Sequence, residues 1–499
     1  MIIVKKYNET YLRVDSEDKG ILQELNEEFK FQVPGYQYTP KYKMKMWSGY
    51  IHLYSLHTRL LYAGLYDNLQ KWSKINDYDL QLIDSKQYKT PNFTNDITPE
   101  QVFEFVKNLN IHSKGEKIEI RDYQYTSIFT ALKDRRATIL SPTGSGKSLI
   151  QYCIIRYLLD KGFSCMVVVP TTSLVLQMLN DFKDYSSETD WDVEEISHII
   201  MSGREKNSDK PLYITTWQSV YKQESSYFNR FDCICCDEVH LAKASSLTGI
   251  MEKATEVPYR FGFTGSLDKS KTNQLVIQGL FGPVSKVTST RKLMDEGHLA
   301  ELKIKCVMLT YNDDSKKLVK NMDYQHEIDF LVSHEKRNKF IRNLALSLKG
   351  NTLILFTLVE KHGDELNKLL SEKTENRLHY IHGGIEAEVR NEVREIVENS
   401  NDAIVLASVG VFSTGVNIKR LHNIIFASPT KSVIRVLQSL GRGLRKAHDK
   451  SNVNVFDISD RIVNLKSRRN FTYVHFIERL RIYASEDFNY TITELPIER

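Results

Sequence analysis

Two short stretches of this sequence carry residues whose types and spacing could do chemistry. The first is SPTGSGKS, residues 141–148. It fits Gly-x-x-x-x-Gly-Lys-Ser/Thr except that Ser141 takes the place of the first glycine. A strand-like ATIL precedes it and a helical LIQYCIIRYLL comes after it. In that context backbone N–H groups of a tight loop and a helix N-terminus converge on phosphate oxygens. Thr143, Gly144, Ser145 and Gly146 shape the loop, Lys147 meets the β/γ-phosphates, and Ser148 ligates Mg²⁺. The second stretch is DCICCDEVH, residues 232–240. Read as metal ligands, its three cysteines and His240 would hold zinc. Read as a buried strand, they end in an acidic pair. Cys233 and Cys235 then point to one face and Cys236 to the other, so the three thiols do not converge on one ion. The strand reading leaves Asp237 to hold Mg²⁺ and Glu238 to orient the attacking water of an ATP site.

Elements must bring the two stretches together. Short apolar runs (CMVVVP, LYITT, FDCICCDE, FGFTGS) alternate with helical patterns at 149–159 and 174–185, which predicts a parallel sheet covered by helices. The alternation restarts with NTLILF, RLHYIHG, DAIVLAS, HNIIFAS and NVNVFDIS, with helices at 361–370 and 433–440. Two tandem α/β domains are expected, joined near 297–302. The first ~110 residues read differently: a strand at YLRV, a helix over 18–29 with Leu22, Leu25 and Phe29 on one face, and a strand-rich run with turns at Pro34-Gly35 and Ser48-Gly49. A polar stretch then opens a helix with Thr98 as N-cap and Pro99 at the first helical position.

The totals narrow the class. With 499 residues, 41% hydrophobic and 26% charged content, the chain reads as a multi-domain globular protein. A net charge of +5 is too slight to name a partner, so any nucleic-acid contact must be local. Six cysteines make no disulfide framework and fit a reducing cytoplasm. Neither a signal-peptide core nor a membrane-spanning run is expected. No acidic residue falls between Glu28 and Asp67, a stretch holding Lys41, Lys43 and Lys45 among tyrosines and Trp47. On a strand the three lysines would share one face, a candidate DNA-binding stripe beside aromatics for base stacking; equally, they would serve as a solvated face over a core. At the other end, the helix after the basic segment 466–469 would place Phe476, Leu480 and Tyr483 against the second α/β domain.

The two motifs, in this order and with the segments C-terminal to them, resemble a superfamily 2 DExH helicase over about residues 121–445. RDYQ resembles the adenine-reading element, which implies that Arg121 or Tyr123 stacks on the base and Gln124 bonds its edge. VVVPTTSLVLQ and ITTWQS resemble the strand-tracking motifs, implying nucleic-acid contacts by Pro170, Thr171, Gln177, Thr215 and Thr216. DEVH and FTGSL imply coupling roles for His240, Thr264 and Ser266. LASVGVFSTGVNI implies Gly415 and Asn417 near the nucleotide and Ser413 and Thr414 near the strand. QSLGRGLRK implies coupling by Gln438, with Arg442 and Arg445 reaching the γ-phosphate. Arginines there make sense chemically, because an arginine finger contributes ~10³–10⁵ in rate. A small-molecule kinase would need neither the second α/β domain nor this arginine motif.

GVFSTGVNIKRLHNIIFASPTKSVIRVLQSLGRGLRK and RIYASEDFNY, with the order of parts, resemble the UvsW helicases of T4-like phages. That resemblance implies a small α+β DNA-binding domain (1–88), a linker and connecting helix (89–112), an ATP-binding RecA-like motor domain (113–298), a second RecA-like domain (299–458), and a C-terminal basic loop and helix packed on it (459–499). It implies ATP and Mg²⁺ as cofactors and 3′-to-5′ remodelling of branched DNA (forks, Holliday junctions, R-loops) in phage recombination, repair and replication. The expected setting is the host cytoplasm and the expected state a monomer, with phage recombination or replication proteins as partners and no membrane. The alternatives are an RNA helicase, or a nucleic-acid binding or annealing protein whose ATP site only switches affinity.

Overall fold

In a computed structural model of the chain, residues 1–33, 35–83, 96–142, 144–201, 203, 205–241, 245–265, 271–374, 377–414, 418, 420–428, 452–465 and 468–498 are described. Two compact units result, Met1–Thr288 and Ser289–Arg499. That division falls ahead of the join expected at 297–302. Among the described residues no helix is long and apolar enough to cross a membrane.

The first unit begins with a small mixed sheet in the order Leu60–Tyr62, Tyr11–Asp15, Ile2–Lys6, Leu80–Leu82. Only the last pairing is parallel. Alternation in IIVKK and YLRVD puts Ile2, Val4, Leu12 and Val14 into one core with Leu22, Leu25, Leu69 and Trp72 of two covering helices. The helix Lys19–Glu28 starts where expected, with Asp18 accepting from the Gly20 N–H at 2.7 Å. Thr98 and Gln101 likewise form a reciprocal capping box ahead of Pro99–Asn108.

The lysine stripe is a correction. Residues 41–45 do not form a strand. Pro40–Lys43 is a short helix, and Lys45 takes a left-handed turn at φ 58°. The reason is the Thr39-Pro40 pair, a helix start that the alternation of residue types obscured. Among the described residues of this region, Lys30–Gln32 and Tyr50–His52 pair as strands. Met44 and Met46, on either side of Lys45, are 68% and 74% exposed.

The larger sheet of the first unit has seven parallel strands, in the order Ser197–Ile200, Leu212–Thr216, Cys165–Val169, Cys233–Cys236, Tyr259–Thr264, Arg136–Leu140, Val284–Lys286. The cysteines behave as small apolar residues of its central strand. Cys233 and Cys235 join the core containing Ile139, Val167 and Phe261, while Cys236 faces Met166, Val168 and Met251. The second unit repeats the plan in the order Leu378–Ile381, Ile404–Ser408, Thr352–Phe356, Asn423–Phe426, Asn452–Arg461, Glu301–Thr310, Tyr490–Pro496, again all parallel. The architecture is therefore α/β with two parallel sheets behind a small mixed-sheet domain. The helix expected at 433–440 lies outside the described residues.

The C-terminal helix Phe471–Ser485 packs on the strand Asn452–Arg461, as expected of the tail. Its buried face includes Phe476 and Tyr483 as expected, but not Leu480. Thr472, Phe476, Arg479 and Tyr483 are buried, and Leu480 is only half-buried. Arg479 is drawn in because Asp457 receives it at 2.9 and 2.8 Å, alongside the Tyr483 hydroxyl at 2.8 Å. A second buried pair joins Arg337 to Asp460 at 2.9 and 3.1 Å.

His362 sits in a tight π-helical turn, Val359–Gly363, and hydrogen-bonds Ser428 at 3.1 Å. Burial, with the Arg337 charge second, pushes its imidazole down to about 3. The unfolded chain therefore binds a proton that the folded chain refuses between that value and an ordinary histidine's. Stability should be at full value above pH ~6.5 and fall by about 1.4 kcal/mol per pH unit below it. Urea midpoints measured across that window should lose part of their acid slope in His362→Gln, and an unchanged slope would count against this histidine.

Candidate active site and nucleic-acid groove

The phosphate loop joins the strand Arg136–Leu140 to the helix Lys147–Asp160. Gly144 and Gly146 both hold φ 85°, a conformation that side chains oppose. At Gly146 an added Cβ would also lie 2.2 Å from the Gln124 amide nitrogen. No side chain caps the helix, so its first-turn N–H groups aim at the loop. Ser141, in the place of the usual glycine, is buried, and its hydroxyl meets that of Ser145 at 2.5 Å. Here the serine braces the loop from inside.

The adenine-element residues reach the same loop. Gln124 is buried, donates to the Ser145 carbonyl at 2.8 Å and accepts the Arg121 N–H at 2.9 Å. The Tyr123 hydroxyl approaches that carbonyl at 3.3 Å and receives Arg121 at 2.6 Å. Gln124 therefore senses the shape of the loop while keeping one amide N–H and one oxygen lone pair for another group.

Asp237 and Glu238 follow the central strand Cys233–Cys236. Lys147 Nζ lies 2.7 Å from Asp237 Oδ1 and 2.6 Å from Glu238 Oε1. Glu238 turns left-handed at φ 51°, while the Asp237 carboxylate accepts the Glu238 N–H at 2.9 Å. One ammonium serves a buried carboxylate and a part-buried one, and they split. Burial pushes Asp237 up, Lys147 opposes, and the Glu238 charge adds to the rise. Burial would raise Glu238 too, but Lys147 and His240 outweigh it and hold that carboxyl below the usual range. His240 Nδ1 sits 3.2 Å from Glu238 Oε2 and 3.0 Å from the Thr264 hydroxyl. The Thr264 carbonyl accepts the Ser141 N–H at 2.9 Å, which closes a ring from the loop through Lys147, Glu238, His240 and Thr264 back to the loop. The Ser148 hydroxyl meets that of Tyr185 at 2.9 Å, a partner that no sequence signal indicated. Ser148 and Asp237 together offer the hard oxygen donors that Mg²⁺ takes.

At the carboxyl ends of the neighbouring strands lies a groove of about 500 Å³, lined by Pro170, Thr171, Met201, Lys206, Thr216 and Ser219 among others. Of the strand-tracking candidates, Pro170, Thr171 and Thr216 line it. Thr215 is fully buried beneath it, and Gln177 is exposed on the helix Thr172–Tyr185. Met201, Lys206 and Ser219 were missed, although ligand crevices sit outside the carboxyl ends of parallel strands. Ser413 and Thr414 end the helix Val409–Thr414, with side chains outside the description. Thr143, Ser266, Gly415, Asn417, Gln438, Arg442 and Arg445 lie outside the described residues.

Three family models match the chain: "DNA helicase UvsW, N-terminal" over residues 2–84, "Type III restriction enzyme, res subunit" over 117–269, and "Helicase conserved C-terminal domain" over 335–447. The chain is 33% identical over 500 residues to a protein of Enterobacteria phage T4 described as ATP-dependent DNA helicase uvsW, covering 97% of each. It is 24% identical to the DNA 3′-5′ translocase XPB2 of Sulfurisphaera tokodaii, over 66% of this chain and 80% of that one. The crystal structure of T4 UvsW aligns over 100% of both chains, with a TM-score of 0.52 and 31% identity.

Proposed function

Because this chain belongs to the UvsW family of superfamily 2 helicases, we propose that it is an ATP-dependent DNA motor moving 3′ to 5′ and remodelling forks, Holliday junctions and R-loops. The observation that carries the reading is the ring joining Lys147, Glu238, His240 and Thr264 to the phosphate loop, in a chain similar to a DNA helicase along its whole length. The polarity is supported by the named activity of the archaeal relative.

In this reading Lys147 and the loop N–H groups hold the β/γ-phosphates, and Arg121, Tyr123 and Gln124 serve the adenine. Ser148 and Asp237 would hold Mg²⁺, which would supply positive charge to the transferring phosphoryl group. Glu238, kept ionised by Lys147 and His240, is fit to accept a hydrogen bond from water and orient it. Gly415, Asn417, Gln438, Arg442 and Arg445 keep the roles that their motifs imply, Ser413 and Thr414 among the strand contacts. His240 and Thr264 report the state of the site across the sheet. The groove at Pro170, Thr171 and Thr216 tracks the backbone, with Lys206 as an added phosphate contact.

The N-terminal lysines serve DNA in a different form from a stripe. Lys41, Lys43 and Lys45 are exposed around Met44, Met46 and Tyr38, the last 75% exposed. The turn is stiffened by an edge-on Tyr36–Tyr42 contact at 4.6 Å and by the Trp47 N–H donating to the Tyr50 carbonyl at 2.8 Å. Cations around apolar tips suit phosphate contact plus insertion at an unstacked base step. Changing the three lysines to alanine should weaken DNA binding and flatten its log–log salt slope by about 2–3. An unchanged slope would return the lysines to the role of a solvated surface.

The function itself is tested by unwinding of forks and four-way junctions with ATP against a non-hydrolysable analogue, and by ATPase stimulation with DNA against RNA. Motor action requires ATP-specific unwinding and a stronger response to DNA. Equal remodelling with the analogue would make this an affinity switch, and a stronger response to RNA would make it an RNA helicase.

A further inference from the structure

The amino-terminal ends of two motor strands carry arginines that are almost wholly buried. Arg136 opens the strand Arg136–Leu140 at 3% exposure, and Arg260 stands directly beside it in register at 0%. A buried guanidinium is costly unless its N–H groups and charge are met. The Arg136 charge is met from the N-terminal domain, by the turn between Ile2–Lys6 and Tyr11–Asp15, which also reaches Arg260, whose other N–H groups donate to the Val257, Met251 and Ala254 carbonyls. The Glu9 carboxylate accepts Arg136 at 3.0 Å, and the Glu9 carbonyl accepts the same guanidinium. The Thr10 hydroxyl accepts Arg260 at 2.8 Å. The Glu9 N–H in turn donates to the Thr255 carbonyl at 2.7 Å. Asn8 stiffens the turn by accepting the Thr10 and Tyr11 N–H groups, both at 2.8 Å.

Close packing fixes the rest of the contact. A Cβ at Gly64 would lie 2.0 Å from the Gln278 carbonyl oxygen, and one at Gly279 would lie 2.8 Å from Tyr62 Cβ. The N-terminal domain is therefore seated on the helix Lys271–Phe281 as well as plugged into the sheet. The opposite ends of the same two strands are the nucleotide site. Arg136–Leu140 runs into the phosphate loop, and Tyr259–Thr264 ends at the threonine that holds His240 and Ser141. Each strand spans only ~13–16 Å.

We propose that the Glu9–Thr10 turn is a positioning element through which DNA load on the N-terminal domain reaches the phosphate loop and Thr264. Two adjacent strands in the interior of a sheet are stiff along their length, and each is held at one end by this turn and at the other by the nucleotide site. A pull on the N-terminal domain shifts the arginines and with them the loop and the His240 contact. The proposal rests on the reading that the N-terminal domain engages branched DNA.

The test uses full-length Glu9→Gln and Thr10→Val proteins. ATPase kcat and the KM for ATP are measured without DNA, with an unbranched single strand, and with a fork, next to thermal unfolding. Stimulation by the fork should fall about tenfold, within the ordinary range of coupling between sites, while single-strand stimulation and KM stay at wild-type values. If both stimulations and KM deteriorate together in step with lost thermal stability, the turn is only structural and the proposal fails. Wild-type fork stimulation in both variants would overturn it equally. Thr10→Val keeps the Glu9–Arg136 pair and decides the matter if Glu9→Gln does not fold. Failure of the reading it rests on is distinguishable, because the fork would then stimulate wild-type protein no more than the single strand does.

Discussion

Lys147→Ala should lower ATP hydrolysis by about 10²–10³-fold or more, while a good part of DNA binding survives. Two losses combine. The substitution removes the charge placed to meet the β/γ-phosphates, and it strips the cation from between Asp237 and Glu238, which sit within 2.7 Å of it. Without that ammonium the two adjacent carboxylates no longer both ionise readily, and the fully buried Asp237, already pushed up, takes up a proton that opposes metal binding. DNA affinity draws on the lysine-bearing turn and the groove at Pro170 and Thr216, none of which touches Lys147. Steady-state ATPase and filter binding on the same preparation check both halves. Appreciable turnover in the mutant would remove residues 141–148 from the ATP site.

Asp457→Ala should cost the second unit about 3–5 kcal/mol, because it leaves the Arg479 guanidinium buried without its counter-charge. Both side chains are 0% exposed, and the carboxylate also receives the Tyr483 and Ser459 hydroxyls. The loss is expected first in the helix Phe471–Ser485, whose amide hydrogen exchange should quicken before that of the sheet. Replacing the pair together, Asp457→Leu with Arg479→Met, should be close to neutral, since the cost lies in the unpaired charge. Unchanged exchange in the single variant would show that the pair does not anchor the helix.

The phosphate loop was legible because its chemistry is local: Gly144 and Gly146 adopt the left-handed turns that their lack of Cβ permits, between a strand and a helix that periodicity had placed. The cysteine strand was legible for a similar reason, since period-2 alternation separates Cys236 from Cys233 and Cys235 whatever the surroundings. The lysine turn was misjudged where two local signals conflicted. Alternation argued for a strand, but Pro40 fixes a helical φ and lacks the N–H that a sheet would need, and it prevailed. Edge strands such as Ser197–Ile200 and Tyr490–Pro496 were missed, the first because four residues of mixed burial are too short to show a period and the second because all of its residues are exposed.

The sequence by itself determined the kind of chemistry, the order of parts and most strands of the two large sheets. Those follow from backbone preference and from which side chains can leave water, and both act over a few residues. Tertiary structure decided which groups meet. Only folding sets Lys147 between two acids 90 and 91 positions away, Tyr185 on Ser148, Arg479 on Asp457, and Glu9 on Arg136. Each is a long-range pairing of buried charge or hydroxyl. Its partner is selected by the need to satisfy a desolvated polar group, and no spacing along the chain encodes that need.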